Sequence, residues 1–181
     1  NSEKKDNNFS VGDIYLGRIR KIMPGLNAAF VDIGYEKDAF LHYLDLGSQF
    51  NTLVKYMKNV AAGKQSDSLL NTLELDSDID KGGKISSTIT ANQWIAVQIA
   101  KEPISTKGPR ISCDISLAGR YVVMVPFSNV VSVSQKIKSS EERNRLKRLA
   151  QSIKPRNFGL IVRTVAEGKK TADIDKDIQD L

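Results

Sequence analysis

Three short apolar runs crowd between Gly12 and His42, separated only by turn residues. The first carries Ile14, Leu16, Ile19 and Ile22, with Arg18, Arg20 and Lys21 interleaved. Pro24-Gly25 is a turn signal, and a second run from Asn27 to Ile33 ends at Gly34. Glu36-Lys37-Asp38 makes a polar turn before a third run, Ala39 to His42. Strands this closely spaced predict a small barrel and argue against alternating strands and helices.

The pattern breaks over residues 47–88, read as a long insertion between strands, partly mobile. Within it Phe50, Leu53, Val54 and Met57 have helical spacing. A fourth strand is expected over Ala91 to Lys101, with Trp94, Ile95, Val97 and Ile99. A loop over Pro103 to Pro109 leads to a fifth strand, Arg110 to Ser116. Five strands with an insertion after the third match the OB fold. A second unit follows, with strands over Tyr121–Pro126, Val131–Ile137 and Phe158–Val165. Ser139 and Glu142 form a capping-box pattern, opening a helix whose apolar stripe is Leu146, Leu149, Ala150 and Ile153 and which Pro155 stops. A last helix has Ile174, Ile178 and Leu181 on one face. The expected fold class is therefore α+β. A loose lead-in (1–9) precedes an OB barrel (10–118), and a small α+β unit (119–181) ends the chain.

Charge narrows the partner. The formal net charge is +6. Eleven Lys or Arg against three acids lie between Gln135 and Lys170, so that stretch alone is +8 and the rest is near neutral. A basic zone this localised reads as a polyanion footprint, the alternative being a solvated helix face. One cysteine, Cys113, excludes an internal disulfide and a multi-cysteine zinc cluster; it reads as a buried, inert thiol. One histidine, His42, leaves little room for histidine catalysis. Asp76, Asp78 and Asp80 alternate, but without the glycine and distal glutamate of a calcium loop they read as solvated. No metal site is expected. No apolar run approaches the roughly 18–20 residues of a membrane span, and no charged-then-apolar leader is present, so a cytoplasmic location is expected. The chain begins at Asn1, not Met, and is expected to be a segment of something longer.

An OB barrel binds single strands where rings stack on bases and cations hold phosphates. Phe30 and Phe40 fall on adjacent strands, and Lys101 and Lys107 flank the loop between strands four and five. The ordinary reading of such phenylalanines is core. Here the phrases Gly12-Asp13-Ile14-Tyr15-Leu16-Gly17-Arg18-Ile19, Leu26-Asn27-Ala28-Ala29-Phe30-Val31-Asp32 and Asp38-Ala39-Phe40-Leu41-His42 resemble the S-one type domain of the RNase E/G family. Gln98-Ile99-Ala100-Lys101-Glu102, Thr106-Lys107-Gly108-Pro109-Arg110 and Ile115-Ser116-Leu117-Ala118-Gly119 extend the resemblance. Phe158-Gly159-Leu160-Ile161-Val162-Arg163-Thr164 is similar to that family's 5′-sensor segment. The resemblance covers nearly the whole chain from about Phe9, except the insertion.

It implies that Arg163 and Thr164 bind the 5′-monophosphate of an RNA, with Gly119 and Val123 in the same pocket. Lys136 stands where relatives can have Arg, which keeps the charge but loses the fork. An arginine fork and a hydroxyl suit phosphate oxygens, and backbone N–H groups can complete such a pocket. It further implies that the parent is an endoribonuclease, and a homo-oligomer, with magnesium for cleavage and zinc for an oligomer link. Both metals would be held by parts not seen here, so the residues in hand are expected to be non-catalytic. Three other readings stay open: a generic single-stranded RNA module without end sensing, a nuclease with an unrecognised carboxylate set, and a protein-binding surface for an acidic partner.

Overall fold

The computed structural model describes residues 9–63 and 73–181. Expectations that fall on residues 1–8 and 64–72 lie outside the described residues. The chain divides into two compact units. One holds residues 9–63 and 76–115; the other holds 73–75 and 116–181.

The first unit is a closed barrel of β1 (Ile14–Met23), β2 (Ala28–Asp32), β3 (Ala39–His42), β4 (Trp94–Lys101) and β5 (Arg110–Ser112), in the order β1-β2-β3-β5-β4. Closure leaves no free sheet edge. Strand alternation fills the lumen: Ile95, Val97 and Ile99 of β4, Ile19 of β1, Val31 of β2 and Leu41 of β3 are all buried. The opposite set faces out, so Ile14, Leu16 and Trp94 are 44%, 54% and 53% exposed despite being apolar. Gly17 sits on the inward side of β1. A Cβ there would stand 2.6 Å from Val31 Cγ1, so β2 packs into the space a side chain would take. The fifth strand stops at Ser112, short of the expected Ser116.

The insertion is built in more than its polar composition predicts. Helix α1 (Phe50–Ala61) buries Phe50, Thr52 and Leu53. Returning chain is stapled to the β1–β2 turn by Asn27, a left-handed residue at φ 49°. Its side chain accepts from Ile85 N at 2.7 Å and donates to Gly83 O at 3.2 Å. Ile85 and Ile89 then join the core. Asp76 N donates to Thr52 Oγ1 at 2.8 Å, and the Asp80 carbonyl accepts from the Tyr43 hydroxyl. His42 acts locally, its Nδ1 accepting from Leu44 N at 3.1 Å to cap a short 3-10 turn. Cys113 is free and 5% exposed; burial first, then Asp45 and Asp114, pushes its thiol pKa up, so little reactive thiolate forms.

The second unit is a four-stranded sheet, β6 (Leu117–Ala118), β7 (Val122–Pro126), β8 (Val131–Val133) and β9 (Phe158–Val162), in the order β6-β7-β9-β8. Helices α2 (Ser140–Ile153) and α3 (Thr171–Gln179) contribute Leu146, Leu149, Ala150, Ile174 and Ile178 to a core with Val122, Met124, Leu160 and Val162. Leu181 is 41% exposed, because α3 has ended before it. The capping box is half formed. Ser139 Oγ accepts from Glu142 N at 3.2 Å, but the Glu142 carboxylate is drawn elsewhere, to Arg145 and to Gly168 N at 2.6 Å.

Candidate functional site

Each unit gathers a polar or aromatic cluster of its own. In the barrel, Phe30 and Phe40 are direct cross-strand partners, their rings 6.0 Å apart in an edge-on arrangement. Both are only half-buried, so they line an open cleft of about 670 Å³ with Lys37, Asp38, Lys107 and Arg110. Ring edges and faces next to mobile cations are what stacking and phosphate contact need. Lys107 is held at the mouth by a tight turn, in which its N–H donates to Ile104 O at 2.8 Å and Ile104 N returns to Lys107 O at 3.2 Å. Lys101 does not line the cleft. A β-bulge between Ile99 and Lys101 takes it out of the alternation that buries Ile99, and it lies exposed opposite Arg110.

Two cleft residues escaped the sequence reading. Arg110 pairs in register with Phe40 and donates from Nε (3.0 Å) and Nη2 (2.8 Å) to Asp45 Oδ2. Its charge is thereby partly engaged. Lys37, in the turn before β3, lies in no ion pair among the described residues. Only the closure of the β2–β3 turn against the β4–β5 loop brings these cations to the rings. Local patterning carries no sign of that closure.

In the second unit Arg163 and Thr164 follow β9 directly. Arg163 is exposed, and its Nη1 donates to Gly119 O at 2.9 Å and Arg120 O at 3.3 Å. The Nε and Nη2 donors remain to meet an anion. Thr164 Oγ1 and Ser134 Oγ share a hydrogen bond of 2.8 Å. Ser134 Oγ also accepts from Lys136 N at 3.3 Å, which places Lys136 beside the threonine, with its own side chain exposed. Val123 sits on β7 between Ala118 of β6 and Ile161 of β9. Gly119 closes the β6–β7 turn, its N–H donating to Val122 O at 2.8 Å. The sheet thus brings Arg163, Thr164 and Gly119 to one end through β7 and β9, and brings Lys136 in through Ser134. Ser134 had no signal in the sequence beyond being a serine beside a basic residue.

Around this end the charge is positive. Arg120 and Lys169 stand 5.3 and 5.9 Å from the centre of the Tyr121 ring. The loop carrying Lys169 is tied to α2, since Arg145 bonds Glu142 and donates to Lys169 O at 3.0 Å. The Arg145 bond first, then the Gly168 amide, holds the Glu142 carboxyl below the usual glutamate range. A depressed carboxylate stabilises above its unfolded value, and that contribution is lost as pH falls through the folded value. Glu142→Gln should therefore melt lower than the parent at pH 7, with the gap closing as pH falls below about 4. Melting curves that stay parallel down to pH 3 would disprove this account.

Among the described residues no three His, Cys, Asp or Glu converge as metal donors. No helix among them is long and apolar enough to cross a membrane.

Residues 116–181 match the family model described as the Ribonuclease E/G family. Over 170 residues, 93% of this chain, the sequence is 41% identical to a Nostoc protein named Ribonuclease E, covering 21% of that protein. Over 167 residues, 92% of this chain, it is 37% identical to Ribonuclease G of Escherichia coli K12, covering 30%. A Ribonuclease G of Haemophilus influenzae is 37% identical over 169 residues, again with 30% covered. The chain therefore spans less than a third of the length of these relatives.

Proposed function

Because the chain belongs to the ribonuclease E/G family, we propose that it supplies the RNA-holding and end-reading parts of an RNA-processing endoribonuclease. The barrel cleft takes single-stranded RNA, with Phe30 and Phe40 against bases and Lys107, Lys37 and Arg110 against phosphates. Lys101 contributes charge from outside the cleft. The second unit takes the 5′-monophosphate, with Arg163 and Thr164 as ligands, Gly119 and Val123 shaping the pocket and Lys136 adding charge. The observation that carries this reading is the convergence of Arg163, Thr164 and Gly119 at one end of the second sheet.

Cleavage is assigned to parts of the parent enzyme other than these residues. The family resemblance puts magnesium for cleavage and zinc for an oligomer link in those other parts. The parent is taken to act in the cytoplasm, as a homo-oligomer.

The test uses two short single-stranded RNAs, identical except for a 5′-monophosphate or a 5′-hydroxyl. The native chain is expected to prefer the phosphate about tenfold, consistent with charge-assisted bonds worth about 1.5–3 kcal/mol. Arg163→Ala should abolish the preference and leave affinity for the hydroxyl RNA. Affinity for both should fall with salt, in proportion to the phosphates contacted. Equal binding by the native chain would leave a plain RNA-holding barrel. Salt-insensitive binding, or none, would sink the RNA reading itself.

A further inference from the structure

The β6–β7 turn is gripped from both sides. On its N–H side stands Asp177 of α3. One carboxylate oxygen accepts from Arg120 N at 2.9 Å; the other accepts from Tyr121 N at 2.8 Å and Val122 N at 3.1 Å. On its carbonyl side stands Arg163. Its Nη1 donates to Gly119 O and Arg120 O, and its backbone N–H to Tyr121 O at 2.8 Å. Gly119 is bare because it must be. A Cβ there would lie 2.5 Å from Asp177 Oδ2 and 2.9 Å from its Cγ.

We infer that Asp177 is a positioning residue of the phosphate site, fixing the 119–122 turn so that its carbonyls aim the Arg163 guanidinium at the phosphate. The inference rests on the reading of Arg163 as a phosphate ligand. Three charge-assisted bonds from consecutive amides leave this turn one conformation, and the Arg163 side chain inherits it. The same bonds dispose of a simpler design. The amides of residues 120–122 are spent on an internal carboxylate, so the phosphate is met by side chains and not by this run of N–H groups.

Asp177→Asn in the full chain is the test. The amide keeps one acceptor and replaces the other with an NH2 group that cannot accept a backbone N–H. The preference for 5′-monophosphate over 5′-hydroxyl RNA should fall about tenfold, while affinity for the hydroxyl RNA stays within about twofold. In an Arg163→Ala background the same change should have no further effect on preference, because both act through one guanidinium. Asp177→Glu, which keeps both oxygens, should restore part of the preference and serves if the asparagine variant fails to fold. A structural role alone would weaken both RNAs together, whatever residue occupies 163. Retention of the full phosphate preference in Asp177→Asn would overturn the inference. Should the native chain show no preference, the ligand reading of Arg163 fails. The Nε–H resonance of Arg163 then decides the positioning role: displacement or broadening in Asp177→Asn upholds it, and an unchanged signal overturns it.

Discussion

Alanine at Gly108 is expected to unseat the barrel cleft and weaken single-stranded RNA binding whatever the 5′ end carries. A Cβ at this position would collide with the Asp38 carbonyl oxygen and lie 2.9 Å from its carbon. Backbone does not yield as a side-chain tip does, so the β4–β5 loop must lift from the β2–β3 turn. Three cleft features depend on that contact. Lys107 precedes the glycine, Lys37 and Asp38 form the opposing turn, and Phe40 N donates to Pro109 O at 2.9 Å. Overpacking of this kind costs about 1–3 kcal/mol, and lifting the loop removes a cation and shifts a ring together. Affinity for 5′-hydroxyl RNA should drop by about tenfold or more, given stacking worth about 1–3 kcal/mol per base. Gly25→Ala is the matched control. A Cβ there meets nothing within 4 Å and its φ is not positive, so stability should hold or rise slightly. If Gly108→Ala unfolds at the denaturant midpoint of the parent and binds equally well, the two loops are not interlocked as described.

The barrel was legible because its buried positions follow the strand period, with Ile95, Val97 and Ile99 at every second position of β4. Where legibility failed, the cause was a partner far along the chain or a break in the period. Counting by twos carries Lys101 to the same side as Ile99, and a bulge invisible to hydrophobic patterning re-aims it. Ile14, Leu16 and Trp94 are apolar yet exposed, and period 2 alone cannot say which of two apolar faces turns inward. The vacancy at Gly17 does say, but only once Val31 is seen behind it. Ser139 was readable as a cap because its bond spans three residues. Glu142 was misread because its partner Gly168 is 26 residues away. Asp177 is the extreme case. Nothing local sets it apart from Asp173, Asp175 and Asp180, and the amides it binds lie 55 to 57 residues earlier. Arg163, Thr164 and Gly119 were named through family resemblance alone, and Ser134, bonded to Thr164, is what the sheet adds to them.

Leu146→Ala is expected to separate the two proposed activities. Leu146 is fully buried at the centre of the second unit's core, packed in the cluster that holds Val122 and Leu160 of the sheet and Ile174 of α3. Truncation leaves a cavity and costs about 2–5 kcal/mol, a large share of the roughly 5–15 kcal/mol that holds a domain folded. Every element of the proposed phosphate site hangs on this core. Val162 immediately precedes Arg163, Ala166 closes the turn after Thr164, and Val122 and Ile178 flank the pair that Asp177 joins. The barrel has its own core, built from residues of β1 to β5 and the insertion. Unfolding should therefore show two separate transitions, with amides of β7 and β9 exchanging first and those of β1 and β4 keeping the parent's protection. At temperatures between the two transitions, the variant should bind 5′-monophosphate and 5′-hydroxyl RNA alike, while Phe30, Phe40 and Lys107 still hold the strand. Loss of all RNA affinity in the same step would mean that the units share one cooperative core. A phosphate preference that survives until the barrel melts would mean that the site draws its order from something other than the packing beneath it.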